Sequence, residues 1–193
     1  MSGRKCGGLW FLCVCALALM GPARAAPALA PWGGGAAPGL ALRDTEGRAH
    51  DLAAYRGKVV LINFWATWCE PCRQEMPSIQ RLRQRLAGQP FAVLAVNVDE
   101  PDARVRRFLK QTGLDLPILM DPDKVVTREW GVRVLPVTFI VGPDGRVRYR
   151  LVGDLDWNSE TVAGVIAGLM GEARPQSVVQ NVKIHPAVSA QLR

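Results

Sequence analysis

An α/β fold, with a mixed central sheet flanked by helices, is what this sequence predicts, and three observations predict it. Residues 59–65 (VVLINFW) are almost continuously apolar and β-branched, as expected of a strand buried on both faces. Apolar residues then recur at helical spacing, and a second buried strand follows at residues 91–98 (FAVLAVNV). Such a strand–helix–strand unit makes parallel pairing the expected arrangement. Further on, residues 137–141 and 146–152 flank Gly142-Pro143-Asp144-Gly145, an antiparallel hairpin that would make the sheet mixed.

The remaining elements follow in order. Residues 40–43 and 48–52 flank Asp44-Thr45-Glu46-Gly47, which reads as a small N-terminal hairpin, and Gly57 ends this lead-in. The helix after the first strand runs from Pro71 to Gly88 and places Met76, Ile79, Leu82 and Leu86 on one face. Residues 101–112 form a helix with Val105, Phe108 and Leu109 inward, and Gly113 stands where a C-cap would. Residues 116–120 fit a short strand, and Asp121-Pro122-Asp123 opens a brief helix ending near Gly131. Ser159 caps a last helix with Val162, Val165, Ile166 and Leu169 on one face. There are no internal repeats.

The ends read differently. Arg4 and Lys5 precede an uncharged apolar run from Gly7 to Met20, then Gly21-Pro22 and small residues around Ala23-Arg24-Ala25. The run is 14 residues, short of the roughly 20 of a spanning helix. Residues 1–25 are therefore expected to be a signal peptide, with an uncleaved membrane anchor as the alternative. Residues 26–38 are rich in Ala, Gly and Pro and read as a flexible tether. The domain is expected over residues 39–171, and the polar stretch 172–193 as a disordered tail.

Cysteine usage narrows the chemistry. Three of the five cysteines (Cys6, Cys13, Cys15) lie in the signal region, so the exported chain keeps only Cys69 and Cys72. A pair three positions apart closes almost no loop and is poorly suited to stapling. In an oxidising compartment redox work is the better reading. A zinc site needs about four N or S ligands, and His50 and His185 lie too far off at no ligand spacing, so no metal is expected. The pair sits between a buried strand and an amphipathic helix, where Cys69 at the helix N-terminus gains from the free N–H groups and the dipole that favour a thiolate. Cys72, one turn on, faces inward and is placed to resolve a mixed disulfide at Cys69. The net charge of +7 falls to +4 without the signal. Its arginines are scattered without interleaved aromatics, a solvated basic face that argues against nucleic-acid binding.

The run Asn63-Phe64-Trp65-Ala66-Thr67-Trp68-Cys69-Glu70-Pro71-Cys72, with Pro77 beyond it, resembles the active site of the thioredoxin fold. More narrowly it resembles the TlpA/ResA-like branch of exported thiol–disulfide oxidoreductases. Glu75, the helix and strand inserted at about 101–120, Val134-Leu135-Pro136-Val137-Thr138-Phe139 and Gly153-Asp154-Leu155-Asp156-Trp157 fit that branch over about residues 39–171. The resemblance implies a thioredoxin-like fold with an N-terminal hairpin and a helix–strand insert. It also implies a reductase acting on apocytochrome c or copper-site cysteines, fed by a membrane electron donor.

Residue roles follow from the resemblance together with local chemistry. Pro136 matches the family's cis-proline position, where Leu135 would pair with an extended substrate chain. Glu75 shares a helical face with Cys72 and, if buried, would have a raised pKa suited to moving the Cys72 proton. Asn63 stands where cytosolic thioredoxins carry a buried Asp, which makes Glu75 the substitute acid. Glu70 and Pro71 weaken thiolate stabilisation at Cys69 and so favour a reducing couple. Trp68 reads as docking surface, Trp65 as core, and the two histidines as surface residues, while Trp32 has no assignable role.

The expected protein is a periplasmic monomer, with anchoring to the inner membrane as the alternative, that needs no cofactor because its electrons reside in the dithiol. Its partners would be protein thiols and disulfides. The rival readings are an oxidase or isomerase of folding proteins, a copper-binding assembly factor and a non-catalytic interaction module. A copper site would need a wider cysteine spacing and a distal His, neither of which is evident.

Overall fold

The computed structural model describes residues 29–33 and 35–172. The chain runs through β1 (Ala30–Pro31), β2 (Ala41–Asp44), β3 (Ala49–Asp51), a 3-10 turn (Leu52–Tyr55), β4 (Val59–Trp65) and α1 (Glu70–Arg85). It continues through β5 (Phe91–Val98), α2 (Asp102–Thr112), β6 (Ile118–Asp121), α3 (Val125–Glu129), β7 (Val137–Val141), β8 (Val147–Val152) and α4 (Glu160–Glu172). One eight-stranded sheet has the order β1-β8-β7-β4-β5-β6-β2-β3. β4, β5 and β6 are parallel, and the other pairings are antiparallel.

β4 is buried along its whole length, as its unbroken apolar run requires. Alternate residues serve opposite faces. Leu61 and Trp65 join a core with Met76, Ile79 and Leu82 of α1 and Ile166 of α4. Val60, Ile62 and Phe64 join a second core with Val126 and Trp130 beside α3. α1 begins one residue before Pro71 and ends at Arg85, short of Gly88. α2 ends, as expected, on Gly113 in the left-handed region at φ 69°. On α2 Val105 is fully buried, while Phe108 and Leu109 pack against the core partly exposed.

Three expectations need correction. The described residues between 29 and 38 are not a free tether: Ala30 and Pro31 pair with Arg150 and Tyr149 of β8. The Ala37 N–H also donates to the Gly145 carbonyl at 3.0 Å. An edge strand presents unpaired N–H and C=O groups, and this segment covers them. Trp32 accordingly has a role, edge-on to Phe139 at 6.2 Å between centroids, with the Arg150 guanidinium 5.8 Å over its ring. His50 is half-buried, its Nε2 2.9 Å from Asp44 Oδ2 and its Nδ1 2.7 Å from the Tyr55 hydroxyl. The expected hairpin does form, and it adds to the sheet through β6, with Arg43 opposite Met120.

The stretch 1–25 expected to be a signal peptide, His185 and the residues from 173 lie outside the described residues. Among the described residues no helix is long and apolar enough to cross a membrane.

Candidate active site

The site is assembled where β4 stops and α1 starts, at the ends of the central strands. Cys69 is the N-cap of α1, and its Sγ accepts from the Cys72 N–H at 3.3 Å. Cys69 and Cys72 are joined as a disulfide with their Cα atoms 5.3 Å apart. Cys69 keeps 5% of its surface exposed and Cys72 none. An incoming thiolate therefore reaches Cys69, and Cys72 is shielded until that bond opens. Trp68, beside the pair, is 64% exposed and makes the largest apolar projection near the disulfide.

The loop that delivers Cys69 is anchored from the turn after β5. Buried Glu100 accepts from the Thr67 N–H at 2.6 Å, from the Thr67 hydroxyl and from the Asn97 amide at 2.8 Å. Sequence reasoning missed this anchor, because Glu100 lies 33 residues from Thr67 and belongs to no motif. Glu100→Ala would leave these donors without an acceptor. It is expected to cost about 2 kcal/mol in urea unfolding and to slow thiol exchange by loosening the Thr67–Trp68 turn.

Glu75 lies one turn beyond Cys72 and is 3% exposed. Its Oε1 accepts from Asn63 Nδ2 at 2.7 Å, and its Oε2 from Trp157 Nε1 at 2.8 Å and the Leu155 N–H at 3.3 Å. Burial pushes its carboxyl up from the ordinary 4.5 to about 7; the Trp157, Asn63 and Leu155 donors oppose that rise, and nearby Asp154 adds to it. Ser78 supports the arrangement, donating to the Glu75 carbonyl at 2.7 Å and accepting from the Trp157 N–H at 3.0 Å. The loop Gly153-Asp154-Leu155-Asp156-Trp157 is thereby fastened to α1. The sequence marked this stretch without revealing that its indole N–H reaches Glu75.

Other expected residues fall as follows. The Leu135–Pro136 peptide is cis, Pro136 is buried and Leu135 packs half-buried against both cores. The Gly153 N–H donates to the Pro136 carbonyl at 3.0 Å, joining the entry to β7 with the loop after β8. Glu70 and half-buried Pro71 occupy the first turn of α1. The Glu70 carboxylate is exposed and bound to Arg73 at 3.0 Å and Gln74 at 3.2 Å. Its charge is thus partly neutralised, which weakens the expectation that Glu70 alone disfavours the Cys69 thiolate.

An exposed-side and a shielded sulfur at a helix N-terminus, a buried carboxyl on the same helical face and a thioredoxin-type α/β sheet define a thiol–disulfide oxidoreductase. Comparison with known proteins agrees. Residues 34–150 match the AhpC/TSA family, and the chain belongs to that family. The Geobacillus thermodenitrificans thiol-disulfide oxidoreductase ResA is 43% identical over 122 residues, 63% of this chain and 70% of that protein. Its Bacillus subtilis counterpart is 39% identical over 114 residues, 59% of this chain and 64% of that protein. A Chlorobium tepidum structure assigned as the thiol:disulfide interchange protein DsbE superposes with a TM-score of 0.66 at 30% identity, over 75% of this chain and all of that one. A secreted thiol-disulfide isomerase of Corynebacterium glutamicum superposes with a TM-score of 0.59 at 26% identity, over 70% of this chain and 84% of that one. The protein is an enzyme of dithiol–disulfide exchange, and its substrates are protein thiols and disulfides.

Proposed function

We propose that the protein works outside the cytoplasm as a reductase of protein disulfides, Cys69 attacking, Cys72 resolving and Glu75 carrying the proton. The observation that supports this direction is the buried Glu75 carboxyl one turn from Cys72. Once ionised it opposes a second negative charge on the neighbouring thiolate. The Cys69 sulfur is bonded by one backbone N–H, from Cys72, and Pro71 supplies none. A reduced form whose thiolate is poorly stabilised gives a reducing couple.

The extracytoplasmic setting is supported by the apolar run at residues 7–20 and by neighbours described as secreted and as an exposed lipoprotein. Substrates of the class with paired cysteines awaiting haem or copper fit the resemblance, as does re-reduction by a membrane donor. Exposed Trp68 and the Leu135–Pro136 segment would receive the substrate chain.

Equilibration against a dithiol buffer tests the direction. The potential is expected nearer that of thioredoxin, about −270 mV, than that of a strong periplasmic oxidant, about −120 mV. A value near the latter would overturn the reductase reading in favour of an oxidase.

A further inference from the structure

Asn63 is fully buried, and its amide is half used. Nδ2 donates to Glu75 Oε1 at 2.7 Å and to the Thr138 hydroxyl oxygen at 2.8 Å, while Oδ1 has no partner. Asn63 and Thr138 are direct neighbours across β4 and β7, so neither can move away from the other. Every group bonded to Glu75 (Asn63 Nδ2, Trp157 Nε1 and the Leu155 N–H) is a donor. That set suits a carboxylate and offers the acid form nothing to accept its proton. Oε2 already receives two donors, so a proton arriving on Glu75 belongs on Oε1, opposite Asn63.

We propose that Asn63 and Thr138 form an amide–hydroxyl switch that turns over with the proton on Glu75. With Glu75 ionised the amide stands as observed. With Glu75 protonated the amide rotates by half a turn, and Oδ1 accepts from the Glu75 O–H and from the Thr138 hydroxyl. Thr138 makes this workable because a hydroxyl both accepts and donates. The amide makes two hydrogen bonds in each state, leaving the Oδ1 acceptor unpartnered in the first and the two Nδ2 N–H donors in the second, so the states are matched in bonds made. Among the charged groups around Glu75, Asp154 acts through its charge and touches neither Asn63 nor Thr138 by hydrogen bond. Asn63 and Thr138 are positioning residues here, since they act through Glu75 and touch no substrate. The inference rests on Glu75 being the proton carrier.

NMR of the labelled full chain tests both ideas separately. The Glu75 carboxyl carbon should titrate near neutrality, and nuclear Overhauser contacts between the Asn63 side-chain NH2 and Thr138 should fade with the same midpoint as pH falls. Unchanged contacts across a titrating Glu75 would overturn the switch while leaving the proton carrier intact. A Glu75 that does not titrate between about pH 5 and 9 would sink the carrier reading, and the switch with it. Thr138→Val takes from the ionised state the acceptor of one amide N–H, whereas from the acid state it takes only one of the two donors to an Oδ1 that the Glu75 O–H still engages. The Glu75 midpoint should therefore rise, and Thr138→Ser should restore it. A midpoint unmoved by Thr138→Val would overturn the part assigned to that hydroxyl.

Discussion

Cys72→Ser is expected to convert the protein from a turnover catalyst into a trap. With the resolving sulfur gone, a substrate disulfide attacked by Cys69 stalls as a covalent mixed disulfide, because a hydroxyl at that position cannot attack it. The measurement is non-reducing electrophoresis after incubation with a model disulfide protein, followed by identification of what is held. Cys69→Ser should hold nothing, since its remaining sulfur is 0% exposed where Cys69 is 5% exposed. Both variants should lose turnover by several orders of magnitude. Capture by Cys69→Ser but not by Cys72→Ser would reverse the two roles.

Glu75→Gln is expected to remove a pH dependence from both stability and catalysis. The wild-type carboxyl titrates near 7 in the fold against 4.5 as an ordinary group, so between those values the folded state holds the extra proton. The stability contributed by this group is then fully present below about pH 4.5 and is lost as pH rises through 7, by roughly 1.4 kcal/mol per unit and about 3 kcal/mol in all. The cause is burial: the ionised carboxylate at 3% exposure has lost its water, and three N–H donors replace that water only in part. Urea unfolding at pH 5, 6, 7 and 8 should show this slope in the wild type and a flat profile in Glu75→Gln. Gln has one oxygen for the Asn63 and Trp157 donors where Glu has two, so the test is the slope and not the absolute level. Without a proton carrier, thiol exchange at neutral pH should slow about 10²-fold. A Glu75→Gln slope equal to that of the wild type would mean that another group carries the dependence.

Together these outcomes describe a site held in a costly protonation state for the sake of its chemistry. A carboxyl that weakens the fold at neutral pH is retained beside the reactive pair. The network around it draws on α1, β4, β7 and the loop before α4, so it is complete only when four separated parts of the chain have docked. The Glu100–Thr67 anchor adds the turn after β5 in the same way.

Much of this was legible beforehand, and the residues show why. The strands at 59–65, 91–98 and 137–141 stand where their β-branched apolar runs placed them. Burial on both faces makes a strand predominantly apolar, and that constraint is written locally. Cys69 as a helix N-cap and Gly113 as a C-cap are likewise local matters of hydrogen bonding and allowed φ. The described residues within 26–38 misled because Ala30, Pro31, Trp32 and Ala37 are held to the sheet by backbone groups, which leave no trace in side-chain pattern. His50 misled because its partners, Asp44 and Tyr55, flank it at spacings that match no periodic element.

The sequence by itself determined the α/β class, the order of the elements from β2 onward and the isolated redox pair at a strand-to-helix junction. These follow from hydrophobic period, turn chemistry and cysteine spacing, which act over a few residues. Tertiary structure alone decided that Asn63, Leu155 and Trp157 meet at Glu75, with Thr138 bonded to Asn63 behind them, and that the three donors only partly offset its burial. Desolvation and buried hydrogen bonding depend on what surrounds a group in space, and Trp157 lies 82 residues from the carboxyl it holds.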